Sequence, residues 1–515
     1  MKKSITFCTM LLTFVAQAQT FEWFKTPAVS FDANATLIGY PNTVDASNNI
    51  YVTGYQDNRF LYGEVFGHML LHKYNTAGDL LFSKTIEGHV QVYNIKTDTQ
   101  GHVLLLAGYV NQIKIGNWEL NTEAQGIQPI LLKFDHLGNF LWHLPLNTID
   151  PFINHAEALA VNQITNDYYV AFDNFDDAYI QKISSDGNVV STIAQTDTNR
   201  ITSLSIDSEQ NIYAAGSCAS ANATYAGVVA TTNLPYNTYV VKYNPNGVFQ
   251  WVKYVEDITC TTPMVVANTP DEVYFCSYLF GAFAFDNLIA EGPASNAFGD
   301  FFLTKLNANG AFQWVREVPG NNFGEVNLGN RNFLALDAMG KIYVSGSTSR
   351  TIQWNNSLIS DIPGNSGDAL VLQYEPDGTL QQIITGGGSW EDRVDGVSID
   401  SNGSIYASGM GYGETNFGPF SHTAASYFPY LTKVNSALNM HSSSTNESLM
   451  YPNPVKDLLY FHNIKSAQGT IYNMLGQTVM QFTIKSDLPI SVSALPAGTY
   501  IVTLDGLKAQ QLIKE

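Results

Sequence analysis

The chain has 515 residues, of which 45% are hydrophobic and 12% aromatic, so it has ample apolar material for several cores or for one repeat array. Only 14% of the residues are charged, and Asp and Glu outnumber Lys and Arg by 45 to 25. Because no excess of cationic side chains is available to neutralise phosphates, nucleic acid is not expected as a partner. The acidity is typical of a soluble, exported surface.

The N-terminal segment has the pattern of a secretory signal peptide. Two lysines precede a short apolar stretch, and the three residues ending at Ala18 have the small-x-small pattern of a cleavage site. We therefore predict a signal peptide over residues 1–18, with cleavage between Ala18 and Gln19. The apolar stretch is too short to span a bilayer, and no later window reaches 18 uninterrupted apolar residues, so no transmembrane segment is expected.

Three cysteines follow the predicted cleavage site, namely Cys218, Cys260 and Cys276, so at most one intramolecular disulfide can form. Cys260 and Cys276 are the closest pair in sequence. The alternative is that all three are small buried strand residues without a redox role. No C-x-x-C or Cys/His grouping of the zinc-site kind occurs.

A first phrase recurs along the central region and consists of an aspartate, a short turn, an Ile-Tyr pair and a glycine. Four copies share one spacing and begin at Asp45, Asp207, Asp337 and Asp400. A copy with one extra residue begins at Asp98, and two reduced copies, at 161–172 and 272–277, keep only the Tyr-containing core. The phrase therefore occurs seven times.

A second phrase follows each copy of the first. It consists of Lys or Gln, an apolar and a polar residue, and in most copies a glycine turn, often followed by Trp. The copies begin at Lys73, Lys133, Lys182, Lys242, Lys305, Gln373 and Lys433. Each pair of phrases predicts four short strands joined by tight turns. Four strands every ~59 residues, with a variable connection between the second and third strands, indicate the blade of a β-propeller.

The two ends of this region complement each other. Residues 21–25 (Phe-Glu-Trp-Phe-Lys) match the fourth strands at 249–253 and 312–316, whereas the last unit, which ends at Asn435, lacks a fourth strand. Pairing the two would close the ring and remove its free edges. We predict an all-β propeller of about seven four-stranded blades over residues 19–436, closed by the N-terminal strand. Six or eight blades are the alternatives, because the third and fifth units are degenerate.

The repeat resembles an exported bacterial β-propeller family in which Asp-x-x-Gly-Asn-Ile-Tyr-Val-x-Gly precedes an aspartate-led strand with a Lys. Gly299-Asp300 and Gly367-Asp368 begin that second element here. The resemblance covers residues of about 20 to 436. It implies the fold and brings no catalytic signature with it.

Residues 437–449 are polar and predict a linker, and residues 450–515 have the short alternating strands of a small immunoglobulin-like β-sandwich. Three motifs of this segment carry a sharper resemblance. They are Pro452-Asn453-Pro454, Asn-x-x-Gly476-Gln and Leu-Pro-Ala-Gly498-Thr-Tyr500.

In this order the motifs resemble the type A C-terminal sorting domain of the Bacteroidota type IX secretion system. The resemblance implies that the outer-membrane translocon recognises the domain and that a sortase-like peptidase removes it. It also implies that the protein passes through the periplasm to the outer cell surface or the medium.

Four groups of residues are candidates for chemistry. His68 and His72 are four residues apart, but on a strand they would be separated by about 13 Å, which disfavours a shared metal. The segment Asp173–Asp177 is either a calcium site or a solvated connection. The carboxylates of 390–393 are a possible acid and base, although paired carboxylates in turns are common. The last group, Trp142, Trp251 and Trp314, forms either a sugar platform or blade packing.

None of these patterns specifies a catalytic residue, a metal or a cofactor, so we predict none and leave the ligand unknown. Two functions remain open. The first is a non-catalytic surface binding or scaffold protein for a glycan or a protein. The second is an exported hydrolase or lyase that acts on polysaccharide at the mouth of the propeller channel.

Overall fold

The computed structural model describes residues 21–27, 39–153, 155–293, 299–320, 325–361, 367–435, 450–461, 466–473, 477–485, 488–504 and 507–515. The regular elements in these ranges are all β-strands, here numbered β1 to β42 in chain order. The chain divides into two compact units, Met1–Ala437 and Leu438–Glu515. The predicted all-β class is confirmed.

Seven antiparallel four-stranded blades form the described part of the first unit. Blade 1 consists of β2 (Asn42–Val44), β3 (Ile50–Leu61), β4 (Glu64–Tyr74) and the first half of β5 (Leu80–Thr97). Blade 2 consists of the second half of β5, β6 (Val103–Ile115), β8 (Gln128–Phe134) and β9 (Phe140–Pro145), with β7 (Trp118–Asn121) paired to β6. Blade 3 consists of β10 (His155–Val161), β11 (Tyr168–Asp173), β12 (Ala178–Ile183) and β13 (Val189–Thr196).

The next two blades carry short insertions. Blade 4 consists of β14 (Arg200–Ile206), β15 (Ile212–Cys218), β18 (Asn237–Tyr243) and β19 (Phe249–Glu256), and its inserted strands are β16 (Thr224–Tyr225) and β17 (Val228–Val229). Blade 5 consists of β20 (Met264–Ala267), β21 (Val273–Tyr278), β24 (Phe301–Leu306) and β25 (Phe312–Arg316), with the hairpin β22 (Ala282–Phe285) and β23 (Leu288–Glu291). The degenerate third and fifth units therefore form complete blades.

The last two blades complete the set. Blade 6 has a first strand in two pieces, β26 (Glu325–Leu328) and β27 (Leu334–Leu336), followed by β28 (Ile342–Ser349), β31 (Asp368–Tyr374) and β32 (Leu380–Gly388), with the hairpin β29 (Thr351–Gln353) and β30 (Ile359–Asp361). Blade 7 consists of β33 (Arg393–Ile399), β34 (Ile405–Phe417), β35 (Phe420–Val434) and β1 (Phe21–Lys25).

The first strands of the blades surround a central channel. Each first strand contacts the first strand of the next blade, and β2 of blade 1 contacts β33 of blade 7, so the series closes on itself. The blades are thereby arranged as a propeller, with hydrophobic clusters packed between neighbouring sheets.

The N-terminal strand completes the last blade, as predicted. Trp23 of β1 pairs with Lys433 of β35, and Phe24 pairs with Thr432. The Trp23 side chain is buried, and its indole N–H donates a hydrogen bond of 3.1 Å to the carbonyl of Thr76 in blade 1. The first and last blades are therefore joined by both pairing and packing.

The repeated aspartate explains the spacing of the first phrase. Asp207 Oδ1 accepts the backbone N–H groups of Glu209 and Asn211 at 2.9 Å each, which fixes the turn between β14 and β15. Its Oδ2 accepts the phenol O–H of Tyr213 at 2.9 Å. The same three bonds recur around Asp400. The tyrosine six residues after the aspartate is therefore part of the turn.

The connection between the second and third strands differs from the prediction in blades 1 and 7. Instead of a variable loop, β3 and β4 extend into a hairpin that turns at Tyr62–Gly63, and β34 and β35 also extend into one. The outer part of β34 also pairs with the end of β32, where Gly387 faces Asn416. We call this contact between blades 6 and 7 the seam. Alternating exposure along 420–425 shows why this polar segment is a strand.

The three cysteines are buried free thiols, so the possible Cys260–Cys276 disulfide is not formed. Cys276 lies on β21 and packs into the cluster between blades 5 and 6, whereas Cys260 packs into the cluster between blades 4 and 5. Because the two side chains belong to clusters on opposite faces of blade 5, proximity in sequence does not bring them into bonding geometry.

The second unit consists of two antiparallel sheets that share one core. The first sheet contains β36 (Met450–Tyr451), β37 (Leu458–Phe461) and β40 (Ile490–Ser491), and the second contains β38 (Ser466–Asn473), β39 (Thr478–Lys485), β41 (Gly498–Leu504) and β42 (Leu507–Lys514). Leu459 from the first sheet and Ile471, Val502 and Leu512 from the second meet in this core. The small β-sandwich is therefore confirmed.

Candidate functional site

Charged residues open several of the first strands. His155 begins β10, Arg200 begins β14 and Arg393 begins β33. Together with neighbouring residues they surround one end of the channel, which we call the channel mouth. Its members are Gln91, Tyr93, His155, Glu157, Arg200, Arg331, Arg393 and Asp395. The chain contains six arginines, and three of them lie here.

Arg331 crosses the channel mouth from blade 6 to blade 2. It lies between β26 and β27, and its backbone N–H donates to the Asp395 carbonyl at 2.9 Å. Its guanidinium lies 5.6 Å from the ring centroid of Tyr93, and with the Gln91 amide turned so that its nitrogen faces Glu64, Nη2 donates to the Gln91 side-chain oxygen at 2.9 Å. A β-carbon on Gly39 would lie 2.6 Å from Arg331 Cγ, so glycine at 39 leaves room for this path.

His155 is held in its charged form. Its Nδ1 lies 3.0 Å from Asp173 Oδ2, and its Nε2 lies 3.1 Å from Glu157 Oε1. Burial alone would lower the pKa of His155, but the carboxylates of Glu157 and Asp173 outweigh it and raise the pKa to about 10. At neutral pH this imidazolium cannot accept a proton from a substrate.

The carboxylates of the mouth are occupied by partners. Glu157 is paired with His155, and although burial would raise its pKa, His155, Arg200 and Arg331 lower it to about 2. Asp395 Oδ1 accepts Arg393 Nε–H at 2.7 Å, and its Oδ2 accepts the backbone N–H of Tyr40 at 3.3 Å. Glu157 therefore remains ionised at neutral pH, and both carboxylates are paired with neighbouring groups of the mouth.

Two cations of the mouth lack such a partner. Within the described ranges, neither Arg200 nor Arg331 forms an ion pair, and the Nε atom of each is buried without a hydrogen-bond acceptor. Arg200 lies over the ring of Phe175, 4.7 Å from its centroid. The mouth therefore offers two guanidinium groups whose charge no neighbouring carboxylate neutralises at contact distance.

An aromatic row adjoins Arg393. The ring centroids of Trp390 and Tyr412 are 5.4 Å apart, and those of Tyr412 and Tyr427 are 4.6 Å apart. Trp390 is 57% exposed. Burial raises the pKa of Tyr427, Glu391 adds to the effect, and Arg393 opposes it, which places the Tyr427 phenol near both charges. The row leads from solvent to the guanidinium.

Two buried carboxyl groups face each other below the seam. A β-carbon on Gly387 would lie 2.6 Å from Asp368 Oδ1 and 2.9 Å from Asp392 Oδ2, and neither oxygen has a hydrogen-bond partner in the described chain. The other Asp392 oxygen accepts the Thr415 hydroxyl at 2.6 Å. Burial raises the pKa of each carboxyl group to about 7, and at Asp392 the Asp368 carboxylate adds to the effect.

This pair predicts a pH-dependent stability. In the folded protein each pKa lies near 7 instead of the usual 3.8, so the folded state holds its protons more tightly than the unfolded state. The contribution of the protonated pair to the free energy of unfolding is fully present below pH 4 and is lost as the pH rises through 7. Replacing Asp392 by Asn removes one ionisation, so above pH 7 the variant should unfold at higher denaturant concentration than the wild type.

Urea unfolding of the full chain at pH 5 and pH 8 measures this difference, with the exposed Asp176→Asn as the control for loss of one negative charge. The expected difference between Asp392→Asn and the wild type is on the order of 1.4 kcal/mol per unit of pKa shift. An Asp392→Asn variant whose stability relative to the wild type is the same at both pH values would contradict it.

The histidine and aspartate candidates do not converge. His68 and His72 lie on β4, as the strand pattern indicated; His68 Nδ1 accepts the Gly88 N–H, whereas burial lowers the pKa of His72 to about 4. Asp173 binds His155, and Asp177 accepts the backbone N–H of Asp197 at 3.2 Å. Each side chain therefore has a separate structural environment.

The repeated tryptophans pack between blades. The indole N–H of Trp142 donates to Ser185, that of Trp251 to Ala308 and that of Trp314 to Pro376, in each case to a backbone carbonyl of the following blade. They lie between different pairs of blades, so they do not form a common sugar platform.

The sorting-motif residues are parts of the sandwich. Asn453 Oδ1 accepts the N–H of Ile513 at 2.8 Å, which ties the Pro452–Pro454 motif to the last strand. Tyr500 is buried and donates its phenol O–H to the Pro496 carbonyl at 2.8 Å. Gly498 begins β41. Gly476, Ala18 and Gln19 lie outside the described residues, as does the whole of the predicted linker at 437–449.

Comparison with known proteins identifies the second unit. Residues 449–515 match the secretion system C-terminal sorting domain family. No curated protein matches the chain. Among solved structures, the chain is similar to hydrazine synthase of Kuenenia stuttgartiensis (10% identity, 73% of this chain, 94% of that chain, TM-score 0.43) and to the Dos1 propeller (8%, 81%, 95%, 0.40).

A third similar structure is prolyl oligopeptidase B from Galerina marginata, with 8% identity, coverage of 92% of this chain and 56% of that chain, and a TM-score of 0.37. All three scores lie below 0.5, so these likenesses carry no conclusion about function.

The blades, the ring closure and the sorting domain define an exported β-propeller protein. Its sorting domain addresses it to the type IX secretion system, which delivers proteins to the cell surface or the medium. No helix long and apolar enough to cross a membrane occurs in the described ranges.

The sequence patterns considered above did not predict a site at the channel mouth, although the spacing of its charged residues indicates one. His155, Arg200 and Arg393 each precede the turn residue of their repeat, Asn162, Asp207 and Asp400, by seven positions. The same position of the repeat therefore carries a charge in three blades, and the repeat places these charges at one end of the channel.

Proposed function

We propose that the protein is a non-catalytic binding protein of the cell surface or the medium, whose ligand places an anionic group between Arg200 and Arg331. The observation that carries the proposal is the pair of guanidinium groups that form no ion pair among the described residues, beside Glu157 and Asp395 carboxylates that are paired with other groups. Guanidinium groups bind carboxylate, sulfate and phosphate through paired N–H donors.

The protonation states support binding without turnover. His155 stays protonated at neutral pH, and burial together with nearby carboxylates raises the pKa of Tyr40 and Tyr93 well above the usual value. None of these groups can act as a general base near pH 7, because a base must be deprotonated before it accepts a proton.

Substitution of Arg331 tests the proposal. With tetragalacturonate and hexaglutamate as anionic probes, Arg331→Gln should weaken binding of the full chain at least tenfold, because it removes a charge-assisted hydrogen bond worth about 1.5–3 kcal/mol. Calorimetric titration measures the affinity, and thermal unfolding shows whether the variant is folded.

The control is Arg316→Gln. Arg316 lies at the end of β25 and donates to the carbonyls of Val315, Asp377 and Gly378, so it is occupied outside the mouth. Its substitution should leave probe affinity unchanged. If neither probe binds the wild type, or if both arginine variants behave alike, the mouth is not the anion site.

The second candidate function is an exported hydrolase or lyase that acts on polysaccharide. It is favoured by Asp368 and Asp392, whose pKa values near 7 suit a general acid. Both side chains are buried, so a substrate would reach them only if the seam opened. Turnover of a polysaccharide by the wild type and its loss in Asp392→Asn would establish this function instead.

A further inference from the structure

The anion site and the aromatic row are parts of one surface. Arg393 connects them, because it is paired with Asp395 at the channel mouth and faces Met410 across β33 and β34, two residues before Tyr412 of the row. The outer end of the row is Trp390, whose ring is largely exposed. A ligand that fills both parts needs an acidic group at one position and a flat apolar face at another.

A sugar ring with an acidic substituent meets both requirements. Pyranose rings present C–H groups that pack on aromatic faces, and their hydroxyl groups stay in water at the edge, which suits Trp and Tyr side chains with one apolar and one wet side. Carboxylate or sulfate groups suit the guanidinium fork. An acidic peptide would satisfy the arginines without requiring the aromatic row.

The charges set the direction of the ligand. Glu391 is exposed and lies near Arg393 and Tyr427, so a negative charge borders the row where it meets Arg393. The acidic group therefore binds at the Arg331 and Arg200 end, and a ring further along the ligand packs against Trp390. Because the whole chain carries a formal charge of -20, distant parts of a polyanion are repelled, and short stretches are favoured.

On this basis we infer that the ligand is an acidic polysaccharide, bound by its acid groups at Arg200 and Arg331 and by a sugar ring on the Trp390–Tyr412–Tyr427 row. This inference rests on the proposed function and specifies its ligand class. The acid group is a uronic carboxylate or a sulfate ester, two sources that share the same charge and are separated by the experiment.

The test uses the full chain and four probes: tetragalacturonate, a chondroitin sulfate tetrasaccharide, neutral maltotetraose and hexaglutamate. The variants are Trp390→Ala and Arg331→Gln, and the control is Tyr236→Ala on blade 4, whose side chain is 58% exposed. We expect one acidic saccharide to bind more tightly than maltotetraose and hexaglutamate. Trp390→Ala should lower the affinity for that saccharide at least fivefold without changing the affinity for hexaglutamate. Arg331→Gln should lower the affinity for both probes.

The outcomes separate the two proposals. If hexaglutamate binds as tightly as the acidic saccharides and Trp390→Ala has no effect, the polysaccharide inference is wrong while the anion site stands. If no anionic probe binds, the proposed function itself fails. If maltotetraose binds as well as the acidic saccharides and depends on Trp390 alone, the acid groups are not recognised and the inference is again overturned.

Discussion

A chain that ends at residue 446 is expected to remain in the periplasm, with no protein exposed on intact cells. Residues 449–515 match the sorting domain family, and the described part of this segment forms its own sandwich with its own core. The Pro452–Pro454 motif is tied to the last strand by the hydrogen bond from the Ile513 N–H to Asn453 Oδ1, so the motif and the terminal strand are parts of one fold. Deletion removes all of it.

Protease treatment of intact cells, followed by detection of the propeller in the cell fractions, measures this effect. The control removes only residues 439–446, which shortens the chain before the sorting domain and should leave export intact. If the truncated protein is digested on intact cells, it has reached the cell surface, and the sorting domain is not required for export.

The second large effect is expected for Trp23→Ala, which should lower the free energy of unfolding by about 3–5 kcal/mol, as for other buried Trp→Ala changes. The indole packs against Tyr406 of blade 7, with ring centroids 5.9 Å apart, and donates to Thr76 of blade 1. Its loss leaves a cavity where the ring closes and removes one of the two hydrogen bonds to the Thr76 carbonyl, which also accepts from Lys433 Nζ at 3.2 Å.

Chemical denaturation of the full chain, followed by tryptophan fluorescence, gives the change in stability. Trp142→Ala is the matched control, because Trp142 contacts Tyr168 and Ser185 in the same way between blades 2 and 3, within a continuous stretch of chain. We expect the Trp23 variant to lose at least as much stability as the control and also to expose residues 21–25 to protease. Protection of those residues in the variant would speak against a closing role for Trp23.

The fold was predictable because each blade repeats the same local physics. An aspartate such as Asp207 fixes a turn and binds the tyrosine six positions later, so the phrase can be recognised wherever it occurs. The closing strand was also predictable, since Phe-Glu-Trp-Phe-Lys carries the pattern of the fourth strands. The number of blades was therefore predictable from the number of repeated phrases, and ring closure from the displaced fourth strand.

The site was less predictable because it depends on contacts between distant blades. Arg331 lies in an interruption between β26 and β27 that no repeat pattern indicates, and its partners Gln91 and Tyr93 are about 240 positions away. Likewise, Asp368 is part of the repeat, whereas Asp392 is not, and only the seam between blades 6 and 7 brings them together. The spacing of residues in the sequence predicts neither the contacts of Arg331 nor the proximity of Asp368 and Asp392.

The pairing of β1 with β35 also bears on the order of synthesis. Phe21–Lys25 is made before every other described strand, yet its partner segment ends at Val434, so β1 waits unpaired until the seventh blade has been made. The sorting domain follows directly in sequence. A chain that is truncated before Val434 therefore has an open ring and also lacks the sorting domain. The truncation that prevents ring closure thus also prevents export of the incomplete protein.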